Sequence, residues 1–188
     1  MAGPIPPRHP LRQLFTTITE RSFLERLGWP DLEVISYLSD LLTDFAHIDS
    51  LYRIRDAVGR PVEDVAEMLA EASLFARASS LDREREVHKH IGDYTLFMTG
   101  LFPRAVERMG RPGGPPRVDA LIDYTETGKR SYRIVAEYAT VEGGKAGPLF
   151  RKLSAHFELC AYGLGYVRED LEKPPASGHV RLWRNPDA

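Results

Sequence analysis

The sequence predicts an all-α fold, a bundle of about six or seven helices of ordinary length in one domain. Apolar residues recur every three or four positions through nearly every segment of the 188-residue chain, which is the period of a helix with one buried face. Gly/Pro breaks at 28–30, 111–117 and 142–148 cut this pattern into pieces of helical length,. Only HVRLW, close to the C-terminal end, reads as strand-like,.

The first ten residues, MAGPIPPRHP, hold four prolines and are expected to form a disordered or extended leader,. They contain no apolar core of the kind a secretory signal or an anchor needs. Over 11–27 a helix is marked by Leu11, Leu14, Phe15, Ile18, Leu24 and Leu27, and Gly28 and Pro30 end it,. Asp31 caps the next helix, whose stripe is Val34, Ile35, Leu38, Leu41, Leu42, Phe45, Ile48 and Tyr52, with a break near Asp49 and Ser50,. Pro61, followed by Glu63 and Asp64, suits a first turn, so a helix is expected over about 61–76,.

Ser79 and Asp82 resemble a capping box that opens a helix over 81–101,. Its stripe is Val87, Ile91, Tyr94, Met98 and Leu101, and Leu96 and Phe97 make its second half apolar nearly all round. A helix of that kind sits at the centre of a bundle. Pro103 starts a short continuation to about Met109, and the Gly/Pro-rich stretch 110–117 is read as a loop within one domain 11–173 rather than a linker,. A long helix follows on Val118, Leu121, Thr125, Gly128, Tyr132, Val135 and Ala139; the glycine in its interior implies close approach by a neighbouring helix,. The last helix, over 148–172, carries Phe150, Leu153, Phe157, Cys160, Leu164, Val167 and Leu171, and it too is expected at the centre. The tail 174–188 is expected to be loose.

Composition sets bounds on function. A formal net charge of −2 supplies no field that would gather nucleic acid or an anionic membrane, and no run approaches the ~20 apolar residues of a membrane span,. The single Cys160 excludes an intrachain disulfide and any multi-cysteine zinc site, and points to a reducing, cytoplasmic setting,.

Within REREVHKHIGDYTLFMTGLFPR, residues 83–104, Glu86, His90 and Asp93 fall at i, i+4 and i+7 on one flank of the helix,. Imidazole with carboxylates is a ligand set for iron, manganese or zinc, and bundles build such sites from inward-facing residues of several helices, with His156 or Glu137 as the fourth donor here. The order His-x-x-Asp differs from the Glu-x-x-His of carboxylate-bridged di-metal bundles. A partly buried histidine satisfied by a neighbouring acid is the simpler account, and His88 beside Glu84 is read in the same way. Of the further pair Asp44 and His47, His47 lies about 160° from Phe45 on the wheel and is expected in water. His156 and Cys160 are four apart, but Cys160 lies on the apolar stripe and packs as a small hydrophobe. YGLGY lacks the strand and the Lys-Ser/Thr of a phosphate loop, so Gly163 and Gly165 are read as packing or bending positions. The basic residues from Arg104 to Arg133 alternate with acids and read as solvated helix faces.

The second face of the last helix, Ala155, Leu159, Tyr162 and Tyr166, is unusually apolar and is covered either by the chain's own helices or by another subunit,. The first reading is therefore a non-enzymatic helical interaction protein, an oligomer or adaptor, whose partner is itself or another protein and whose contact residues are Leu159, Tyr162 and Tyr166. The alternative is a metal- or cofactor-binding helical enzyme, an oxidoreductase for example, on Glu86, His90, Asp93 and His156.

Overall fold

The computed structural model describes residues 6, 9–56, 58–62, 64–77, 81–108, 118–141 and 146–173. Among them the fold is all-α, a bundle of nine α-helices: α1 (Pro10–Arg21), α2 (Leu32–Phe45), α3 (Ile48–Leu51), α4 (Val65–Arg77), α5 (Leu81–Leu101), α6 (Pro103–Arg108), α7 (Val118–Val141), α8 (Gly147–Ala155) and α9 (Phe157–Glu172). The count exceeds six or seven because the expected 31–52 and 148–172 helices are each two, α2 with α3 and α8 with α9. Ser79 of the proposed capping box, the 110–117 loop, the HVRLW segment and the 174–188 tail lie outside the described residues.

The helix starts follow the capping chemistry. Pro10 occupies the first turn of α1, and the His9 ring accepts from the Leu11 N–H at 3.2 Å,. Asp31 accepts from the Val34 N–H at 3.2 Å and opens α2 as expected,. In α4 the cap is Asp64, which accepts from Ala66 at 2.7 Å and from Glu67 at 3.3 Å. Pro61 instead faces Arg55 in an isolated β-bridge across a tight turn with Gly59 at φ +81°, so α4 starts four residues later than Pro61 suggests.

Two interruptions redirect the chain. After α1 the backbone widens into a π-helical segment, Ser22–Arg26, before Gly28 ends it at φ +68°. This wider turn rotates the buried face, so Phe23 is fully buried while the stripe residue Leu24 is exposed,. The expected 148–172 helix is two helices, broken at His156, whose φ of −114° and ψ of 29° leave the helical region,.

α5 is the axis of the fold. It is buried almost continuously from Val87 to Leu101 and packs most extensively on α7, then on α9 and α4. The partner at the centre is thus α7; α9 keeps one face outward, with Tyr162 59% exposed. Glycines set the close crossings. A Cβ on Gly128 of α7 would lie 2.3 Å from the Phe157 ring and 2.4 Å from Thr95 of α5, which is the close approach its position implies. Gly92 faces the Tyr132 ring, Gly100 faces Leu164, and Gly163 faces the Phe23 ring at 2.3 Å. The Thr95 hydroxyl turns back to donate to the Ile91 carbonyl at 2.7 Å and so is paired at the α5–α7 crossing,.

The glycine pair of α9 gives a contrast. Gly163→Ala drives a methyl into Phe23 and is expected to lower stability by about 1–3 kcal/mol. Gly165→Ala meets nothing nearer than the Gly100 carbonyl at 4.0 Å and is expected to raise stability by up to about 1 kcal/mol through helix propensity,. Urea denaturation of both variants checks the pair, and equal effects would contradict the packing described.

Candidate functional site

Asp93 is the most deeply placed acid of the quartet Glu86, His90, Asp93 and His156. Its residue is 5% exposed, and the α5 residues from His90 to Met98 around it are all buried. Burial of a carboxylate requires donors, and three reach it. Tyr37 of α2 and Tyr132 of α7 donate to Oδ1 at 2.5 and 2.8 Å, and Lys89, one turn earlier, donates to Oδ2 at 2.7 Å. Desolvation, reinforced by the carboxylate charge, pushes both tyrosine hydroxyls well above their ordinary pKa. Both therefore remain donors at any ordinary pH. The Lys89 ammonium also stands 5.2 Å from the Tyr37 ring centroid, a cation–π distance,.

The other members of the quartet are placed differently. Glu86 is exposed and pairs with Arg83 at 3.1 Å. His156 is exposed at the α8–α9 break, with its ring against Trp29 at 5.3 Å. Glu137, offered as an alternative fourth donor, is also exposed. Among the described residues no three His, Cys, Asp or Glu side chains come together as a metal could use them. Glu86, His90 and Asp93 share one flank and line one cleft, but the two acids are committed to different partners, Asp93 to two tyrosines and a lysine and Glu86 to an arginine.

His90 is 3% exposed, edge-on to Phe45 at 5.7 Å and near Tyr94 at 6.3 Å. Its Nε2 is buried with no hydrogen-bond partner. Burial lowers its pKa to about 4; Asp93 and the Leu51 backbone pull the other way, while Arg53 and Lys89 assist the lowering. The ring is neutral at physiological pH. His88 is buried as well, 3.3 Å from Ser131 Oγ, and desolvation lowers its pKa despite Glu84. Two further expectations are corrected or refined here. His47, at the start of α3, is half-buried rather than in water, with an unpartnered Nε2. Cys160 is fully buried, and burial pushes its thiol up to about 12, which makes it a packing residue,.

A cleft of about 200 Å³ opens beside His90 and Asp93, between α5 and the segment joining α3 to α4. Ile54 and Val87 form its apolar wall, and Arg53, Arg83 and Lys89 supply its cations. Arg53 and Lys89 were not singled out in the sequence. Their signal was the need of the buried Asp93 for a counter-charge, and for Arg53 a basic residue just past a helix end.

A second concavity, a groove of about 400 Å³, runs along the outer side of α9. Its floor and walls are Thr99 and Gly100 of α5, Leu121 of α7, and Ala161, Tyr162 and Tyr166 of α9. Glu158, Arg168 and Glu169 charge its rim. Of the expected contact residues, Tyr162 is exposed and Tyr166 half-exposed, and Leu159 is half-buried. Tyr166 is held in place by the Arg26 guanidinium 3.7 Å above its ring, and its hydroxyl donates to that of Tyr162 at 3.0 Å. Gly165 matters here because its missing side chain deepens the groove. Ile122 on α7, 59% exposed, and Phe102 just after α5, 48% exposed, are further apolar side chains at the surface.

The chain matches no protein-family model, no curated protein and no solved structure.

The depressed pKa of His90 makes a pH prediction. In the unfolded chain the imidazole titrates near its ordinary 6.5, and in the fold near 4. Between those values the unfolded state binds the extra proton, so stability rises with pH across this window and is lost as pH falls through it. The loss attributable to His90 is about 3 kcal/mol, from ~1.4 kcal/mol per pKa unit. Denaturation midpoints from pH 7 to 4 should therefore fall more steeply for the parent protein than for His90→Leu. Parallel curves would show that His90 is not a buried neutral base.

Proposed function

We propose that the protein is a non-enzymatic helical interaction module that pairs with a second copy of itself through the α9 groove. The observation that carries this reading is the groove itself, an open apolar trough with a tyrosine 59% exposed beside it. Exposed aromatic surface in a concave setting is where binding energy concentrates, because tyrosine buries apolar area while its hydroxyl stays hydrated.

The rim favours a second copy over an unrelated partner. It carries both signs along one helix, Arg168 with Glu158 and Glu169, each held within the chain by a solvent-accessible pair, with Glu172, Lys129 and Arg26 respectively, that a charge of the mate can share,. In a two-fold arrangement of antiparallel α9 helices, residue i of one copy meets residue j of the other and the converse, so Arg168 of each copy faces an acid of its mate. Tyr162, near the middle of α9, would lie close to the two-fold axis and bury the Tyr162 of the mate.

The metal- or cofactor-dependent alternative draws on the same α5 flank, where Glu86, His90 and Asp93 line one cleft, but His156 lies elsewhere against Trp29, Glu86 is paired with Arg83 and Asp93 is already committed to three hydrogen bonds. No specific observation favours it over the docking reading.

Sedimentation velocity across a concentration series tests the proposal, with dimer expected for the parent chain. Tyr162→Glu places a charge in the apolar trough and is expected to weaken association by about thirtyfold or more, a hot-spot effect. Because the side chain is exposed, thermal stability of the monomer should change by no more than about 0.5 kcal/mol. A parent protein that stays monomeric at every concentration, or a dimer indifferent to Tyr162→Glu, would overturn it.

A further inference from the structure

We infer that the cleft between α5 and the α3–α4 segment is a binding site for a small monocarboxylic acid, with Arg53 gripping the carboxylate and Ile54 and Val87 covering the hydrocarbon. The first argument is charge pairing inside the cleft. Of its three cations, Arg83 is paired with Glu86 at 3.1 Å and Lys89 with Asp93 at 2.7 Å. Arg53 is exposed and makes no ion pair or hydrogen bond among the described residues. The cleft therefore holds one cation without a counter-charge, and the fixed fork of a guanidinium matches a planar carboxylate.

The second argument concerns the sign and number of charges a ligand can carry. Two carboxylates, Glu86 and Asp93, already stand in the wall. A dianion such as phosphate would be repelled by both, while a monoanion needs only the one open partner. The third is His90, which lines the cleft, is 3% exposed and has a ring nitrogen with no partner. That nitrogen is closed to solvent in this fold, so the ring contributes to the cleft as an uncharged wall, and as a neutral imidazole it adds no repulsion to an incoming anion.

Size and lining complete the assignment. About 200 Å³ is the room of roughly six or seven waters at ~30 Å³ each,. That admits a carboxylate on a short carbon chain and is too small for a nucleotide or a peptide. Ile54 is 4% exposed and Val87 fully buried, so the inner wall is dry and suits a methylene chain rather than a hydroxylated one,.

The site lies on α5 and the α3–α4 segment, away from the α9 groove, so it does not rest on the dimer reading. Butyrate serves as the probe, with 1-butanol as its neutral analogue and inorganic phosphate as the competing anion, each titrated into the ¹⁵N-labelled full chain and followed by heteronuclear NMR. Butyrate is expected to give saturable millimolar shifts centred on Ile54, Val87 and His90, which 1-butanol and phosphate do not produce. Arg53→Gln, on an exposed side chain that leaves folding intact, should weaken butyrate by roughly tenfold or more, and Tyr162→Glu should leave it unchanged. Absence of saturable shifts at these residues, equal binding in Arg53→Gln, or phosphate matching butyrate would each overturn the assignment.

Discussion

A carboxylate in the middle of the central helix constrains much of this fold. Asp93 lies in an almost wholly buried stretch of α5, and an uncompensated charge there would cost several kcal/mol,. Its compensation comes from both sides of α5, from Tyr37 on α2 and Tyr132 on α7. Those two hydrogen bonds fix where α2 and α7 stand relative to α5 and relative to each other. They also explain the apparent oddity of Gly92 beside the aspartate. The Tyr132 ring must lie across α5 at that level to reach Asp93, and a Cβ there would be 2.7 Å from it. Sequence order, helix spacing and the acid thus form one arrangement, in which a glycine makes room for the donor that its neighbour requires.

The periphery is held by different physics. α1, the π-helical segment and α9 meet around Asp170, whose side chain is 2% exposed and accepts from Arg21 at 2.6 Å and Lys173 at 2.5 Å, with Arg26 at 3.9 Å. Lys173 and Arg21 hold this carboxylate below the usual aspartate range. Lys152 of α8 bridges Asp31 and Glu33 at the start of α2 at 2.7 and 3.1 Å. These surface links add register more than stability, since exposed pairs are worth little individually. The hydrophobic core sets the layers, and the ion pairs select how the outer helices slide along them.

Much of the fold was legible because it follows from periodicity and capping. The stripe of α2, its Asp31 cap, the span of α5 and the packing role of Gly128 are local facts that a helical wheel contains. The sequence misleads at Pro61, which turns the chain rather than starting a helix, and where backbone geometry changes without a Gly or Pro to mark it. Nothing in SFLER announces a π turn, so Phe23 reads as off the stripe although it is wholly buried. His156 interrupts an apolar pattern that runs on unbroken through it. The site was legible in part for the same reason. The wheel places Glu86, His90 and Asp93 on one flank, but which way each side chain turns is decided by Tyr37, Tyr132 and Arg83, and two of those partners are more than thirty residues away in the chain. Tyr162 and Tyr166 were legible as a second apolar face, though not the groove, which needs the absent side chain of Gly165 and the neighbouring helices α5 and α7.

The π-helical segment has an evolutionary consequence. A π turn amounts to one residue inserted into an α-helix, and each residue advances the helix by about 100°. Losing any one residue of Ser22–Arg26 would let the chain relax to a plain α-helix, and every side chain before it would swing by that angle relative to Phe23. Arg12 would leave Asp40, and Ile18 would turn from the core toward water. Point substitutions in this stretch trade one side chain for another, whereas a single-codon deletion would re-index the whole first helix. Lineages carrying this protein should therefore tolerate changes of residue here more readily than changes of length.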